Sequence, residues 1–194
     1  INFPNGQCVQ TGLFNSSYYN VDNAIGAASL AFFLGVSPVD IGRALLKFRG
    51  IKRRWEYQLL SPNLIFIDDY AHHPEELKAL INNVRKLYKN RKVFLIFQPH
   101  LFSRTKELED EFISVLSSVD QLLLLDIYPA REIPIPGVNS QNLLKKIDVD
   151  YKWKYNNRVD HLKKILLSNR PEILLTAGAG DIYKLIPKIK DILL

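Results

Sequence analysis

A chain of 194 residues, 47% hydrophobic and 24% charged, has ordinary globular composition and is long enough for one domain plus a smaller piece. Its single cysteine, Cys8, excludes an internal disulfide, and its longest uncharged apolar stretch, Ala24 to Val36, is too short to cross a bilayer. The net charge of +6 is uneven, basic over 51–100 and 151–194 and acidic over 101–150, without the aromatic-interleaved basic stripe of a nucleic-acid binder.

The chain opens on Ile1 within strand-like sequence and contains no methionine, so it is expected to be a fragment of a longer protein. Its amino end lacks the charged-then-apolar layout of a signal peptide, and a reducing cytoplasm is the expected compartment. Residues 1–20 read as a hairpin-like segment turning at Pro4-Asn5-Gly6. Asn23 to Leu34 is apolar nearly all round, which predicts a helix buried on several sides. Ser37-Pro38-Val39-Asp40 supplies an N-cap, a proline for the first turn and an acidic residue. Ile41, Leu45 and Phe48 then follow at helical spacing, with Gly50 expected to end the helix.

Beyond Gly50 the pattern changes. Apolar runs at Leu64–Ile67, Val93–Phe97, Gln121–Leu125 and Ile173–Leu175 alternate with amphipathic stretches at 75–88, 105–118, 140–147, 158–168 and 181–193. Trp153 and Tyr155 alternate with polar neighbours, as in a more exposed strand over 151–156. Short strands alternating with helices predict an α/β domain with a mainly parallel sheet.

In such sheets ligands bind beyond the carboxyl ends of the strands. The four apolar runs are followed by Asp68–Pro74, Gln98–Thr105, Asp126–Glu132 and Thr176–Asp181. These segments carry His72, His73, His100, Arg104, several carboxylates and the pair Gly178 and Gly180. Each also has a structural use. Asp68 and Asp69 suit the start of the helix near Pro74, and Ser103 or Thr105 suits the next. Gly178 and Gly180 can simply turn the chain, although such a turn also offers backbone N–H groups to an anion. Two classes of function fit the residues alone. One is a metal-dependent hydrolase built from Asp69, His72, His73 and His100, which lacks a standard ligand spacing. The other is a domain that binds a nucleotide or carboxylate.

At these same loops the sequence resembles the Mur ligase family. The resemblance runs through Gly50–Glu56 (Gly-Ile-Lys-Arg-Arg-Trp-Glu), Asp68–Pro74, Gln98–Thr105, Asp126–Glu132 and Thr176–Ile182, in order along most of the chain. The Asp-Tyr-Ala-His element is shared across that family. Gln-Pro-His with Ser-Arg-Thr, followed by Asp-Ile-Tyr-Pro-Ala-Arg-Glu, points to its alanine-adding branch.

The resemblance implies a UDP-binding first domain, a central ATPase domain and a Rossmann-like third domain. Residues 1–49 would be the tail of the central domain and 50–194 the third domain. The family's phosphate-binding run, Gly-x-x-x-x-Gly-Lys-Ser/Thr, does not occur in this sequence. The cradle for the ATP phosphates is therefore expected elsewhere, together with most of the Mg2+ contacts, and this chain alone is expected to be inactive. The implied reaction activates the carboxylate of UDP-N-acetylmuramate as an acyl phosphate with MgATP. The amine of L-alanine then displaces phosphate. Carried over by motif, Asn23, Arg54 and Asp69 would contact ATP. His72, His73, His100, Arg104 and Thr176 would surround L-alanine, with Arg104 pairing its carboxylate through a planar fork. The loop from Thr176 to Asp181 would close over the same cleft. None of these residues is assigned to catalysis or to a metal. Two departures stand out: Tyr19 precedes Asn20 where many members have histidine, and Leu101 stands where many have a basic residue.

Overall fold

The computed structural model describes residues 1–14 and 18–194, with side chains in the first helix described from Asn20 onward. It divides into two compact units, Ile1–Trp55 and Glu56–Leu194, so the Gly50–Trp55 run stays with the first.

In the first unit the predicted turn forms a tight hairpin. Asn2 bridges Cys8, and Gly6 adopts a positive φ of 83° that glycine accepts without a Cβ clash. Helix α1 (Tyr18–Phe33) and helix α2 (Pro38–Lys47) follow. Ser37 caps α2 by accepting from the Asp40 N–H at 3.2 Å. The helix stops at Lys47, before Gly50, because Phe48 turns extended while its N–H still closes on Ala44 and Leu45. A small core joins Phe3, Ala28 and Ile41, with Phe32 and Leu45 packed beside it. The expectation that α1 is buried on several sides is not met. Ala28 is its one buried side chain among those described, while Ile25, Leu30 and Phe33 are exposed. The hairpin and α2 cover one face, and no other described residue of this unit covers the rest.

The second unit is the predicted α/β domain. Its strands are β1 (Glu56–Leu60), β2 (Ile65–Asp69), β3 (Val93–Phe97), β4 (Gln121–Leu124), β5 (Tyr151–Lys154) and β6 (Ile173–Ala177). They form one sheet in the order β1-β2-β6-β3-β4-β5, parallel throughout except for β1, which runs antiparallel along β2. Every residue of β2, β3 and β6 is buried, as their unbroken apolar runs require when helices cover both faces. The helices are α3 (Pro74–Leu87), α4 (Phe102–Glu107), α5 (Glu109–Leu116), α6 (Ser140–Lys146), α7 (Val159–Asn169) and α8 (Ile186–Leu193). One face buries Phe66, Phe94, Ile96, Leu123 and Leu174 under Leu162 and Leu166 of α7 and Ile189 of α8. On the opposite face Phe97 meets Phe112 of α5, with ring centroids 5.7 Å apart.

The architecture is therefore Rossmann-like. Three local details differ from the pattern read in sequence. Strand β1 is an extra antiparallel edge, tied to the end of α3 by the hydroxyls of Tyr57 and Tyr88 at 2.7 Å. The helix expected over 105–118 is two helices meeting at Leu108. The last helix begins as a 3-10 turn, Asp181–Leu185, before α8. Among the described residues no helix is long and apolar enough to cross a membrane.

Candidate functional site

The parallel register sets four strand ends level. Asp69 stands beside Ala177, Ala177 beside Phe97, and Phe97 beside Leu124. The loops after β2, β6, β3 and β4 therefore leave from one edge of the sheet, where strand order reverses around β6 and side chains from several loops can converge.

The loop after β2 is held tightly. Asp69 is 5% exposed and its Oδ1 accepts the Ala71 N–H at 2.8 Å. His72 Nδ1 lies 2.9 Å from the Tyr70 carbonyl oxygen and 3.2 Å from Glu76 Oε2. His73 begins α3 as its N-cap, and Glu76 accepts from the backbone N–H of both His72 and His73. That capping box gives His73 a structural role at the start of α3.

The loops after β3 and β4 are stitched together. The Tyr128 N–H donates to the Pro99 carbonyl at 2.8 Å, and the Leu101 N–H donates to the Tyr128 carbonyl at 2.9 Å. This brief strand-like pairing stacks the His100 ring on Tyr128, 5.6 Å apart and 20° from parallel. His100 also meets His72 edge-on at 5.9 Å. Arg104 Nη1 reaches His100 Nδ1 at 3.4 Å. Burial, then the positive charge of Arg104, with a smaller effect from the nearby His72 ring, hold the His100 pKa below its usual value. Near pH 7 its ring is therefore neutral, and Nδ1 can accept from the guanidinium. Between them Leu101 takes φ 73° and ψ 135°, a conformation costly for any residue with a Cβ. Glu132 accepts from both the N–H and the hydroxyl of Ser103, pinning the β4 loop onto the start of α4. Those two bonds, the hydroxyl's first, hold the Glu132 carboxyl below its usual pKa. His73, Leu101, Ser103, Arg104 and Glu107 line a small cleft of about 300 Å³.

The loop after β6 is clamped rather than loose. Gln98, nearly buried, donates from Nε2 to Asp181 at 2.8 Å and accepts the Ile182 N–H on Oε1 at 2.9 Å. A Cβ on Gly180 would stand 2.4 Å from Gln98 Oε1 and 2.6 Å from Tyr128 Cγ, so only glycine fits. Thr176 is fully buried within β6, its hydroxyl donating to Asp68 Oδ1 at 2.5 Å.

Of the residues expected around the amino acid, His72, His73, His100 and Arg104 thus stand on adjoining loops, while Thr176 lies within the sheet. Of those expected at the nucleotide, Asn23 and Arg54 line a cavity of about 700 Å³ in the first unit, with Ala27, Ile41 and Phe48. Asp69 belongs to the second unit. The side chain of Tyr19 lies outside the described residues. Asp126 is held by Lys154 of β5 at 2.6 Å and by Asn157 at 3.3 Å. Sequence reasoning assigns no role to Gln98, Tyr128 or Glu132. Their positions in the strand-end loops are the one signal that singles them out, since their partners come from distant segments. Among the described residues no group of three or more His, Cys, Asp or Glu side chains is arranged to hold a metal ion.

Residues 53–180 match the family model described as Mur ligase, glutamate ligase domain. The UDP-N-acetylmuramate–L-alanine ligase of Christiangramia forsetii is 44% identical over 176 residues, covering 91% of this chain and 38% of that protein. The Porphyromonas gingivalis ligase of the same name is 39% identical over 193 residues, covering 98% of this chain and 42% of that protein. The chain thus spans about two-fifths of the length of these relatives. The crystal structure of the Thermotoga maritima UDP-N-acetylmuramate-alanine ligase superposes with a TM-score of 0.73 at 24% identity, covering 95% of this chain and 40% of that one. A murein peptide ligase from Psychrobacter arcticus superposes at 0.60 with 22% identity, covering 94% and 38%.

Proposed function

This chain belongs to the Mur ligase family, and on that premise we propose that it is the carboxyl-terminal part of an ATP-dependent ligase joining L-alanine to UDP-N-acetylmuramate. The proposal rests above all on Arg104. Among the described residues its guanidinium makes no ion pair, and its recorded partner is the neutral ring of His100. An arginine so placed, on a small cleft beside histidine and tyrosine rings, suits the carboxylate of a small amino acid.

In this reading Arg104 grips the alanine carboxylate, with His72, His73 and His100 around the amine. Leu101 offers an apolar wall suited to a methyl group. Thr176 acts at one remove, keeping Asp68 in place inside the sheet. Asn23, Arg54 and Asp69 are read as contacts to the nucleotide, as the motif resemblance implies. ATP supplies the phosphoryl group that activates the muramyl carboxylate. The Mg2+ that accompanies ATP would be held mainly by residues outside this chain, whose described residues contain no group of three or more His, Cys, Asp or Glu arranged for a metal ion. A cytoplasmic setting and small-molecule partners alone, with neither nucleic acid nor membrane, complete the proposal.

The test is phosphate release by the full-length ligase that contains this chain. Release is expected to require UDP-N-acetylmuramate and alanine together. Release driven by a peptide in place of alanine would instead make it a peptide-adding ligase of the same family.

A further inference from the structure

The amine of an amino acid is an ammonium ion near neutral pH and has no electron pair to give. A ligase of the proposed kind must therefore remove a proton before the carbon–nitrogen bond can form. We propose that His72 is the general base that takes this proton, an assignment that rests on the reading of the site as the amino-acid pocket.

The argument is geometric. Both recorded polar contacts of the His72 ring fall on Nδ1, a hydrogen bond at the Tyr70 carbonyl oxygen and an ion-pair contact at Glu76 Oε2. Both partners are acceptors, so Nδ1 carries the hydrogen and the lone pair is left on Nε2. No described residue hydrogen-bonds to that Nε2. Glu76 is itself fixed by the backbone N–H groups of His72 and His73, so the carboxylate cannot swing away from the ring. A carboxylate behind a histidine orients the ring and stabilises the imidazolium that forms when the far nitrogen takes a proton. The neighbouring His100 is worse suited, since its Nδ1 already faces the guanidinium of Arg104.

The charged and titratable groups around His72 are Glu76 from α3, Tyr70 from its own loop, and His100 with Arg104 behind it. In the step itself, Nε2 accepts one proton from the ammonium group. The freed nitrogen pair attacks the carbonyl carbon of the acyl phosphate, the carbon–nitrogen bond forms, and the carbon–oxygen bond to phosphate breaks. Phosphate leaves with that electron pair and takes the second nitrogen proton, and His72 returns its own to solvent.

The test compares two nucleophiles in the full-length ligase supplied with ATP and UDP-N-acetylmuramate. Hydroxylamine is already unprotonated at neutral pH and needs no base, whereas alanine does. His72→Asn keeps a donor toward Tyr70 but has no basic nitrogen. It is expected to trap hydroxylamine at close to the wild-type rate while amide formation with alanine falls by about a hundredfold or more. Glu76→Gln keeps an acceptor at the helix cap but removes the charge. Its amide formation with alanine is expected to fall while hydroxylamine trapping stays close to the wild-type rate, because the ring loses the carboxylate that orients it. Alanine amide formation at the wild-type rate in His72→Asn would overturn the proposal. So would parallel loss of both nucleophiles in His72→Asn, which would make His72 a structural residue. If the wild type uses another amino acid in place of alanine, the alanine reading fails, and the same comparison run with that amino acid still decides the base.

Discussion

Arg104 reaches one recorded partner, His100 at 3.4 Å, and neither Glu107 nor Asp110 on the following turns pairs with it among the described residues. A surface arginine would be expected to take such a neighbour. Arg104→Lys keeps the charge and loses the planar fork. A lost charged hydrogen bond costs roughly 1.5–3 kcal/mol, so the KM for alanine should rise on the order of tenfold to a hundredfold while the KM for ATP stays put. Steady-state kinetics on the full-length ligase decides it, and an unchanged alanine KM removes Arg104 from the pocket. Gly180 makes a different prediction. Its replacement by alanine drives a methyl against Gln98 and the Tyr128 ring, and forced overpacking costs about 1–3 kcal/mol. For a chain of this size that lowers the Tm by roughly 2–12 °C in a thermal melt. His72, His100 and Arg104 were legible in the sequence because they follow apolar runs directly. Glu132 and Gln98 were not, because what defines them is a bond to Ser103 or Asp181, and local sequence does not encode which distant group a loop meets.

At the scale of elements, the strands that read clearly were those buried on both faces, since an unbroken run such as Val93–Phe97 leaves no polar face for solvent. Strand β1 escaped because it has no apolar run and its alternation, Glu56-Tyr57-Gln58-Leu59, lasts only four residues before Leu60 breaks it, which is enough for an edge strand half open to solvent. The break between α4 and α5 escaped because Leu108 is neither glycine nor proline, so no breaker marks it. The apolar helix α1 misled in the other direction. Its composition spoke for burial that the first unit does not provide. One element junction yields a pH prediction. Asp181, at the start of the 3-10 turn, has its pKa lowered chiefly by the hydrogen bond from Gln98, with Lys184 helping. Its folded pKa therefore lies below the unfolded one. The bond's contribution is full above the ordinary aspartate range, about 3.9, and is lost as pH falls through the folded value. Asp181→Asn should lower the Tm at neutral pH, and the gap from wild type should close in acid. A gap constant with pH would assign the effect to packing.

For the whole molecule, the two units predict separate outcomes when the chain is cut. Residues 56–194 contain the entire sheet and both helical layers, so they should unfold cooperatively on their own, as circular dichroism on heating would show. The full 194-residue chain should not turn over ATP, because phosphoryl transfer depends on positioning and the sequence holds no phosphate-binding run. Strand order carries one more consequence. The strand that lies between β2 and β3 is β6, which comes last along the chain. A nascent polypeptide leaving the ribosome therefore holds β2 and β3 through the synthesis of residues 98–172 before their shared neighbour arrives. Until then both strands present unpaired backbone edges, the surface that chaperones shield and that aggregates exploit. A chain ending at Asn169 should accordingly be insoluble or chaperone-bound in the cell, whereas one lacking residues 1–55 should accumulate as folded protein. Pulse-labelling with protease challenge would time the change, and it should come only once Ala177 has cleared the exit tunnel.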